Sequence, residues 1–277
     1  MLVENEEIRI VEKKDFSYIE FKALDKYKHK VKCIYSLKDH DIDFSRIFHP
    51  NYKEDVLENS YNKLKEYTGI DKESIVIPVQ THTDNIRIID ENSKLGTILE
   101  GYEEYQDVDS LITDVQGINL ALTYADCTPI ILYDPVQNVI ANVHSGWKGT
   151  YQEIGTKTAL KMVSEFDCIP ENIIVIIGPC IMQECFEVDE DLKNKFAEKF
   201  NYVNQDIMIK FKGVDEEGKN KYLIDTTYIN YENFKLIGVK EENIHDADTC
   251  TMCNHDRMHS YRYDNNAGRN ICVVGLK

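Results

Sequence analysis

Short runs of apolar residues separated by polar turns dominate the middle of the chain. Three such runs occupy residues 119–124, 129–133 and 139–143, and the polar segment 134–138, which contains a proline, separates the last two. Apolar runs of this length with turn residues between them are typical of buried β-strands. The pattern therefore predicts a mixed or antiparallel sheet in this part of the chain.

Segments on either side of this region also show strand and helix patterns. Alternating apolar and polar residues at 18–23 and 32–37 flank a polar stretch and predict a hairpin. Further strands are predicted at 74–79, 85–89, 111–113, 172–177 and 270–276. Apolar residues at helical spacing predict helices at 52–67, from soon after Gly149 to near Asp167, at 191–200 and at 228–236.

This order of elements predicts an α/β or α+β fold in which mixed β-sheets are flanked by helices. No linker, charge block or shift in composition divides the chain, so we expect residues 1–277 to form a single large domain. The hydrophobic share of 42% and the charged share of 29% are those of a globular protein with a sizeable core.

Charge and cysteine usage narrow the classes of function. The formal net charge of -17 disfavours binding to nucleic acid or to an anionic membrane. The first residues are acidic, and no stretch approaches the roughly 18 consecutive apolar residues of a membrane span, so we expect a cytoplasmic protein. Its eight cysteines are then reduced thiols, some of which serve as metal ligands.

Three residues with metal-binding side chains, His82, Cys127 and His144, each end an apolar, strand-like run. Catalytic zinc commonly has three protein ligands and an open fourth position, and imidazole and thiolate both suit it. Their spacing is not that of a zinc finger, so the flanking residues carry the argument for an open catalytic metal site.

Those flanking residues form motifs in a fixed order from about residue 75 to the end of the chain. The motifs are Gln80-x-His82, Ala125-Asp-Cys127-x-Pro129, His144-x-Gly-Trp-x-Gly149-Thr, Ile177-Gly-Pro-Cys-Ile181, Cys250-Thr-x-Cys253, Ser260-Tyr-Arg262 and Gly268-Arg269. Together they resemble the laccase-domain, or polyphenol-oxidase-like, proteins, which are zinc-dependent purine nucleoside phosphorylases. The chain departs from the family pattern at Met258-His259, where an aromatic pair is usual, and at Tyr263, where a second arginine is usual.

The resemblance implies a single-domain α/β fold with zinc held by His82, Cys127 and His144. It also implies phosphorolysis of purine nucleosides (adenosine, inosine, guanosine and methylthioadenosine) and deamination of adenosine, with a purine nucleoside and phosphate as the partners. The oligomeric state stays open, and a homo-oligomer is one alternative.

Six residues are candidates for catalysis and phosphate binding. Cys127, Asp126 and Gln80 are the catalytic candidates, with Asp126 expected to orient a ligand, to act as an acid or base, or to cap a turn. Lys148 precedes a predicted helix start, where free backbone N–H groups and its ammonium group can hold phosphate. The guanidinium groups of Arg262 and Arg269 can each donate two parallel hydrogen bonds to a pair of phosphate oxygens.

Other interpretations of the same residues remain open. Cys127 is a metal-free nucleophile if His144 activates it and Asp126 orients the pair, as in a thiol hydrolase that cleaves an amide of a cell-wall precursor. With Cu²⁺ in place of Zn²⁺, the same three ligands suggest a polyphenol oxidase. A binding module without catalysis would leave the clustered ligand types unexplained. A second, structural zinc site is suggested by Cys250, Cys253, His255 and His259.

Overall fold

The computed structural model describes residues 2–39, 41–47, 49–50, 52–96 and 102–277. Within these ranges the strands are β1 Ile8–Val11, β2 Tyr18–Phe21, β3 Val31–Ser36, β4 Ile75–Val76, β5 Ile86–Ile88, β6 Ser110–Thr113, β7 Asn119–Tyr124, β8 Thr128–Asp134, β9 Val139–Ser145, β10 Ile174–Ile177, β11 Glu187–Asp189, β12 Ile209–Val214, β13 Asn220–Ile224, β14 Ile244–Asp246 and β15 Asn270–Leu276. The α-helices are α1 Glu54–Thr68, α2 Trp147–Tyr151, α3 Ile154–Phe166, α4 Glu190–Lys199, α5 Gln205–Met208 and α6 Thr226–Leu236.

The strands form two mixed six-stranded sheets and a small third sheet. The first sheet has the order β1-β2-β3-β15-β7-β4 and is antiparallel except where β4 joins β7. The second has the order β14-β10-β8-β9-β6-β5 and is parallel only at its two edges. The third sheet, β11-β13-β12, is antiparallel. The predicted α/β class with mixed sheets is confirmed.

The two large sheets pack face to face, and this explains the continuous apolar runs in the sequence. Alternate residues of β7, Leu120, Leu122 and Tyr124, share one buried cluster with Ile131 and Tyr133 of β8. Ala121 of β7, and Ile130 and Leu132 of β8, belong to two other clusters on the outer faces of the sheets. Since both faces of these strands are buried, the strands show no alternation with polar residues.

A buried amide ties the two sheets together at the middle of this interface. The side-chain N–H group of Asn142, on β9, donates hydrogen bonds to the carbonyls of Leu120 and Cys272 on the first sheet. The Tyr124 hydroxyl donates to Asn142 Oδ1 at 2.8 Å. Because every partner is buried, the network fixes the register of one sheet on the other.

Helices cover the two outer faces, giving four layers in the order helix, sheet, sheet, helix. Tyr61 and Leu64 of α1 pack on the first sheet, and Gly69, with φ 75°, ends this helix in a left-handed conformation. Met162 of α3 and Phe234 of α6 pack on the second sheet. Among the described residues, no helix is long and apolar enough to cross a membrane.

Two differences from the predicted elements bear on the site. The helix predicted to begin after Gly149 starts earlier, at Trp147, and is divided into α2 and α3, because Glu153 has a left-handed φ of 62°. The third sheet, which includes the strand Ile209–Val214, was not predicted, because most of that strand is exposed and its apolar residues form no continuous buried run. The predicted hairpin of β2 and β3, the strand over Asn119–Tyr124 and the final strand are confirmed.

Candidate metal centre

The pairing of β8 with β9 brings two of the three predicted metal ligands together. Cys127 immediately precedes β8, and His144 lies opposite Pro129 near the end of β9. His82 reaches the same place from the loop between β4 and β5, where its backbone has a left-handed φ of 66°. The three side chains therefore meet at one end of the two large sheets.

The donor atoms of these three side chains are close enough to share one ion. All of them lie within 4.8 Å of one another. Cys127 Sγ is 3.7 Å from His82 Nε2, and the rings of His82 and His144 have centroids 4.9 Å apart. Two imidazoles and a thiolate at this separation fit a metal held by three protein ligands.

Gly146 leaves the space in which this cluster forms. A Cβ added at Gly146 would lie 2.8 Å from Cys127 Sγ and 3.0 Å from His82 Cδ2. Its φ of -69° and ψ of -179° are ordinary extended values that any residue adopts. Glycine is therefore required here by the close approach of the ligands and not by the backbone conformation.

Asp109 is the residue that positions the ligands, and it was not predicted from the sequence. Its buried carboxylate is 2.7 Å from His144 Nδ1 and accepts a hydrogen bond from the His82 backbone N–H at 3.1 Å. It also accepts bonds from the backbone N–H groups of Thr81 and Thr83. With Nδ1 donating to Asp109, His144 presents Nε2 to the cluster, the arrangement that carboxylates give to metal-binding histidines.

Charges within the cluster favour the ionised form of the thiol. Removal from water would raise the pKa of Cys127, but the charge of His144 and hydrogen bonds from both histidines lower it to about 6. Burial would lower the pKa of His144, but Cys127 and Asp109 raise it to about 9. Without metal, the structure thus favours a thiolate beside an imidazolium.

Asp126 and Gln80 line the site but form hydrogen bonds to other parts of the chain. The Asp126 carboxylate accepts bonds of 2.6 Å from the Thr251 hydroxyl and from the Arg262 backbone N–H. Gln80 donates to the Thr123 carbonyl and accepts from the Thr123 N–H. The group that contacts His144 is Asp109, so orientation of the ligand does not fall to Asp126.

A cavity of about 530 Å³ opens directly over the three ligands. This volume lies within the range of sites that bind small molecules. His82, Cys127 and His144 form part of its lining, together with the side chains of Phe186, Tyr261, Arg262 and Arg269. The cavity therefore places candidate metal ligands, aromatic surface and two cations around one space.

Arg262 is held in place by the backbone of a neighbouring segment. Its guanidinium donates hydrogen bonds to the carbonyls of Cys185 and Glu187 and lies 5.5 Å from the centroid of the Phe186 ring. These contacts fix the direction of the guanidinium group. Arg262 is therefore an ordered cation at the cavity wall.

Arg269 lines the cavity, whereas Lys148 does not. Arg269 Nη1 donates to the carbonyls of Ala267 and Gly268, and burial lowers the pKa of this guanidinium. Lys148 lies on α2 with an exposed side chain directed toward Trp147, its Nζ 5.6 Å from the ring centroid. Lys148 is outside the lining because its exposed side chain lies over the Trp147 ring.

A smaller cavity of about 190 Å³ adjoins the first and shares part of its wall. Gln80, Thr123 and Arg269 line both cavities, and the rest of the smaller one is formed by Arg46, His49, Pro78 and Val79. Neither Arg46 nor His49 was predicted from the sequence, since both lie in an irregular segment before the motifs begin. Arg269 therefore has space for a small ligand on two sides.

The alternative zinc site with two cysteines and two histidines is not assembled. The His255 ring stacks on Tyr263 at 3.4 Å between centroids, and His259 Nε2 donates to the Ile42 carbonyl. Cys250 and Cys253 instead lie close to the side chains of Glu184 and Cys185. The prediction that His255 and His259 are zinc ligands is therefore wrong, because each histidine has another partner.

The fold and the site define an α/β protein with two stacked mixed sheets and a candidate metal centre of two histidines and a cysteine at one end. The model of the family described as multi-copper polyphenol oxidoreductase laccase matches residues 47–277. The chain belongs to this family, so the resemblance seen in the motifs is confirmed.

Relatives with assigned names and solved structures agree with this placement. An adenosine deaminase of an unknown prokaryotic organism is 31% identical over 210 residues, which are 76% of this chain and 78% of the relative. A purine nucleoside phosphorylase of Clostridium acetobutylicum is 30% identical over 261 residues, 94% and 95% of the two chains. The structure of the hypothetical protein YfiH of Bacillus licheniformis superposes with a TM-score of 0.81 at 22% sequence identity. The match includes 98% of this chain and 99% of the YfiH chain, so the two proteins share the same fold.

Proposed function

We propose that this protein is a purine nucleoside phosphorylase that also deaminates adenosine, acting as one domain over residues 1–277. The observation that carries the proposal is the cluster of His82, Cys127 and His144 at the base of a cavity that also contains Arg262 and Arg269. The names of the relatives, adenosine deaminase and purine nucleoside phosphorylase, support the same activities.

We propose zinc as the metal of this site. Two imidazole nitrogens and one thiolate suit Zn²⁺, and three ligands leave a coordination position for substrate. When bound, zinc supplies a Lewis acid. Copper binds many such sites more tightly than zinc, so copper in a purified sample would not identify the physiological metal.

The chain's own residues would bind and orient the two substrates. Phe186 and Tyr261 give the cavity aromatic surface against which a purine can pack. Arg262 and Arg269 provide two guanidinium groups for phosphate. Because the protein carries a net charge of -17, these cations are needed to bring a phosphate anion into the cavity.

Phosphorolysis requires the phosphate to be close to the ribose. A phosphate oxygen forms a bond to the anomeric carbon while the bond between that carbon and the purine nitrogen breaks. Arg269 lines both adjoining cavities and is therefore in a position to hold phosphate beside a nucleoside. Such positioning can account for a large part of a rate enhancement.

One observation supports a second candidate, a thiol hydrolase. His144 lies between the Cys127 thiol and the buried Asp109 carboxylate, which is the order of groups in a cysteine nucleophile with its base and orienting acid. His82 distinguishes the two functions. It is a ligand in the zinc enzyme and has no necessary part in the hydrolase.

We also propose that the protein works in the cytoplasm. All eight cysteines are free thiols. Proteins of oxidising compartments commonly form disulfides, whereas thiols stay reduced in the cytosol.

Incubation of the zinc-loaded protein with adenosine, with and without phosphate, tests the proposal. Chromatography should show adenine and ribose 1-phosphate only with phosphate, and inosine in both samples. The His82→Ala variant should form none of these products, and the Lys148→Ala variant, altered outside the cavity, should match the unmodified protein. Unchanged adenosine in every sample would rule out the nucleoside enzyme and leave the thiol hydrolase.

A further inference from the structure

A second group of metal-binding side chains lies outside the cavity lining. Cys185 belongs to the segment before β11, and Cys250 and Cys253 belong to the turn that follows β14. The Sγ atoms of Cys185 and Cys253 are 3.4 Å apart. The ligand atoms of Glu184, Cys185, Cys250 and Cys253 all lie within 4.8 Å of one another. We call these four residues the thiol cluster.

Backbone hydrogen bonds hold the two segments of the thiol cluster together. Cys250 pairs with Cys180 in a parallel β-bridge, and the Thr251 N–H donates to the Cys180 carbonyl at 2.9 Å. The Cys185 N–H donates to the Met182 carbonyl at 3.0 Å in a tight turn. The three sulfurs are therefore gathered by the main chain of both segments and do not depend on long, flexible side chains to meet.

The spacing of the sulfurs suits a metal better than a disulfide. In a tetrahedral site with zinc–sulfur bonds of about 2.3 Å, neighbouring sulfurs lie about 3.8 Å apart. The distance of 3.4 Å and the upper limit of 4.8 Å in the thiol cluster lie on either side of this value. A disulfide has its sulfurs only about 2.0 Å apart and would use two of the three.

The surroundings of the cluster allow an ion to enter and to be held. Cys250 is buried, whereas Cys253 and Glu184 are exposed, so the site is open on one side. Thiolate ligands select soft ions such as zinc. The Arg262 guanidinium, which bonds to the Cys185 carbonyl, places a cation near the negative charge of the ligands.

We propose that Cys185, Cys250 and Cys253, with Glu184 as the fourth ligand, bind a second zinc ion in a structural site. The ion joins the segment before β11 to the turn after β14. Arg262 bonds to the carbonyls of Cys185 and Glu187, so the ion also fixes the part of the cavity wall that carries this arginine. Sites in which the protein supplies all four ligands, several of them thiolates, typically have such a structural role.

Counting tightly bound zinc tests this proposal separately from the catalytic proposal. The full-length protein is loaded with Zn²⁺ under reducing conditions, desalted, and weighed intact by native mass spectrometry. We expect two zinc ions in the unmodified protein, one in His82→Ala, one in Cys253→Ser and none in the double variant. Cys33→Ser, which removes a thiol elsewhere, should keep two. A zinc count in Cys253→Ser equal to that of the unmodified protein would overturn the proposal, whereas failure of the catalytic site alone would give one zinc in the unmodified protein and none in Cys253→Ser.

A second measurement needs no change within the thiol cluster. In the His82→Ala background, loading with Zn²⁺ should slow alkylation of Cys185, Cys250 and Cys253 by a maleimide at least tenfold and raise the melting temperature. Peptide mass spectrometry assigns the modified thiols. Equal alkylation of these three cysteines with and without Zn²⁺ would refute the site even if a cysteine variant failed to fold.

Discussion

Replacement of Gly146 by alanine would test the metal centre with a single methyl group. The new Cβ would lie 2.8 Å from Cys127 Sγ and 3.0 Å from His82 Cδ2. Heavy atoms in good contact are about 3.5–4.0 Å apart, so these ligands must move by about 0.5–0.7 Å or more. Metal–ligand distances tolerate only about 0.2 Å of change. The variant should therefore lose metal affinity.

We expect the loss to be about 10–100-fold, the size that follows changes in groups that position metal ligands. At zinc concentrations well above both dissociation constants, this loss removes about 1.4–2.7 kcal/mol of the stabilisation that zinc gives to the folded protein. The φ of -69° and ψ of -179° at Gly146 suit alanine, so no backbone strain is added to the metal-free protein.

Competition with a coloured chelator gives the zinc affinity of Gly146→Ala, and thermal unfolding with and without zinc gives the stabilisation. The matched control is Gly155→Ala, whose Cβ would lie 3.0 Å from Ile130 and Phe234 in the core under α3. That variant should melt at a lower temperature and keep its zinc affinity. A Gly146→Ala protein that binds zinc as tightly as the unmodified protein would refute the geometry of the centre.

Three further predictions concern the same site. Asp109→Asn removes the charge that holds His144, and chelator competition should show zinc affinity about 10–100-fold lower. Between pH 6 and 9, Cys127 is a thiolate and His144 keeps a proton that zinc must displace. The zinc affinity, measured by the same chelator competition, should therefore rise by up to about tenfold per pH unit and level off above pH 9. Arg269→Lys should raise the KM for phosphate at least about tenfold by losing the guanidinium fork, and Lys148→Ala should leave it unchanged in steady-state assays.

The sequence predicts the fold best where both faces of a strand are buried. The boundaries of β7 and β15 match the apolar runs at 119–124 and 270–276, because burial on two sides leaves an uninterrupted apolar signal. The break between α2 and α3 was not predictable in the same way. It depends on a left-handed backbone at Glu153, and glutamate has no special preference for that conformation.

The metal ligands were found from sequence because their side chains are of distinctive types and lie within recognisable motifs. Asp109 lies in an acidic stretch that resembles many surface loops. Its contact with His144 arises only when β6 pairs with β9, where Ser110 lies opposite Val143. The partners of a buried carboxylate depend on that pairing, which the local sequence does not specify.

Lys148 and the thiol cluster are two other features whose surroundings could not be predicted from the sequence. Lys148 was predicted to precede a helix, but it lies inside α2, which begins at Trp147, and its side chain is exposed. Cys250 and Cys253 were grouped with nearby histidines because spacing along the chain was the only guide. The fold instead brings in Cys185 from a distant segment.

The anomalous diffraction of a crystal of the zinc-loaded protein tests the central claim most directly. We expect a zinc peak about 2.0–2.1 Å from one ring nitrogen of His82 and from Nε2 of His144, and about 2.3 Å from Cys127 Sγ. A zinc-loaded, active crystal without a peak between these three residues would contradict the account and favour Cys127 as a metal-free nucleophile.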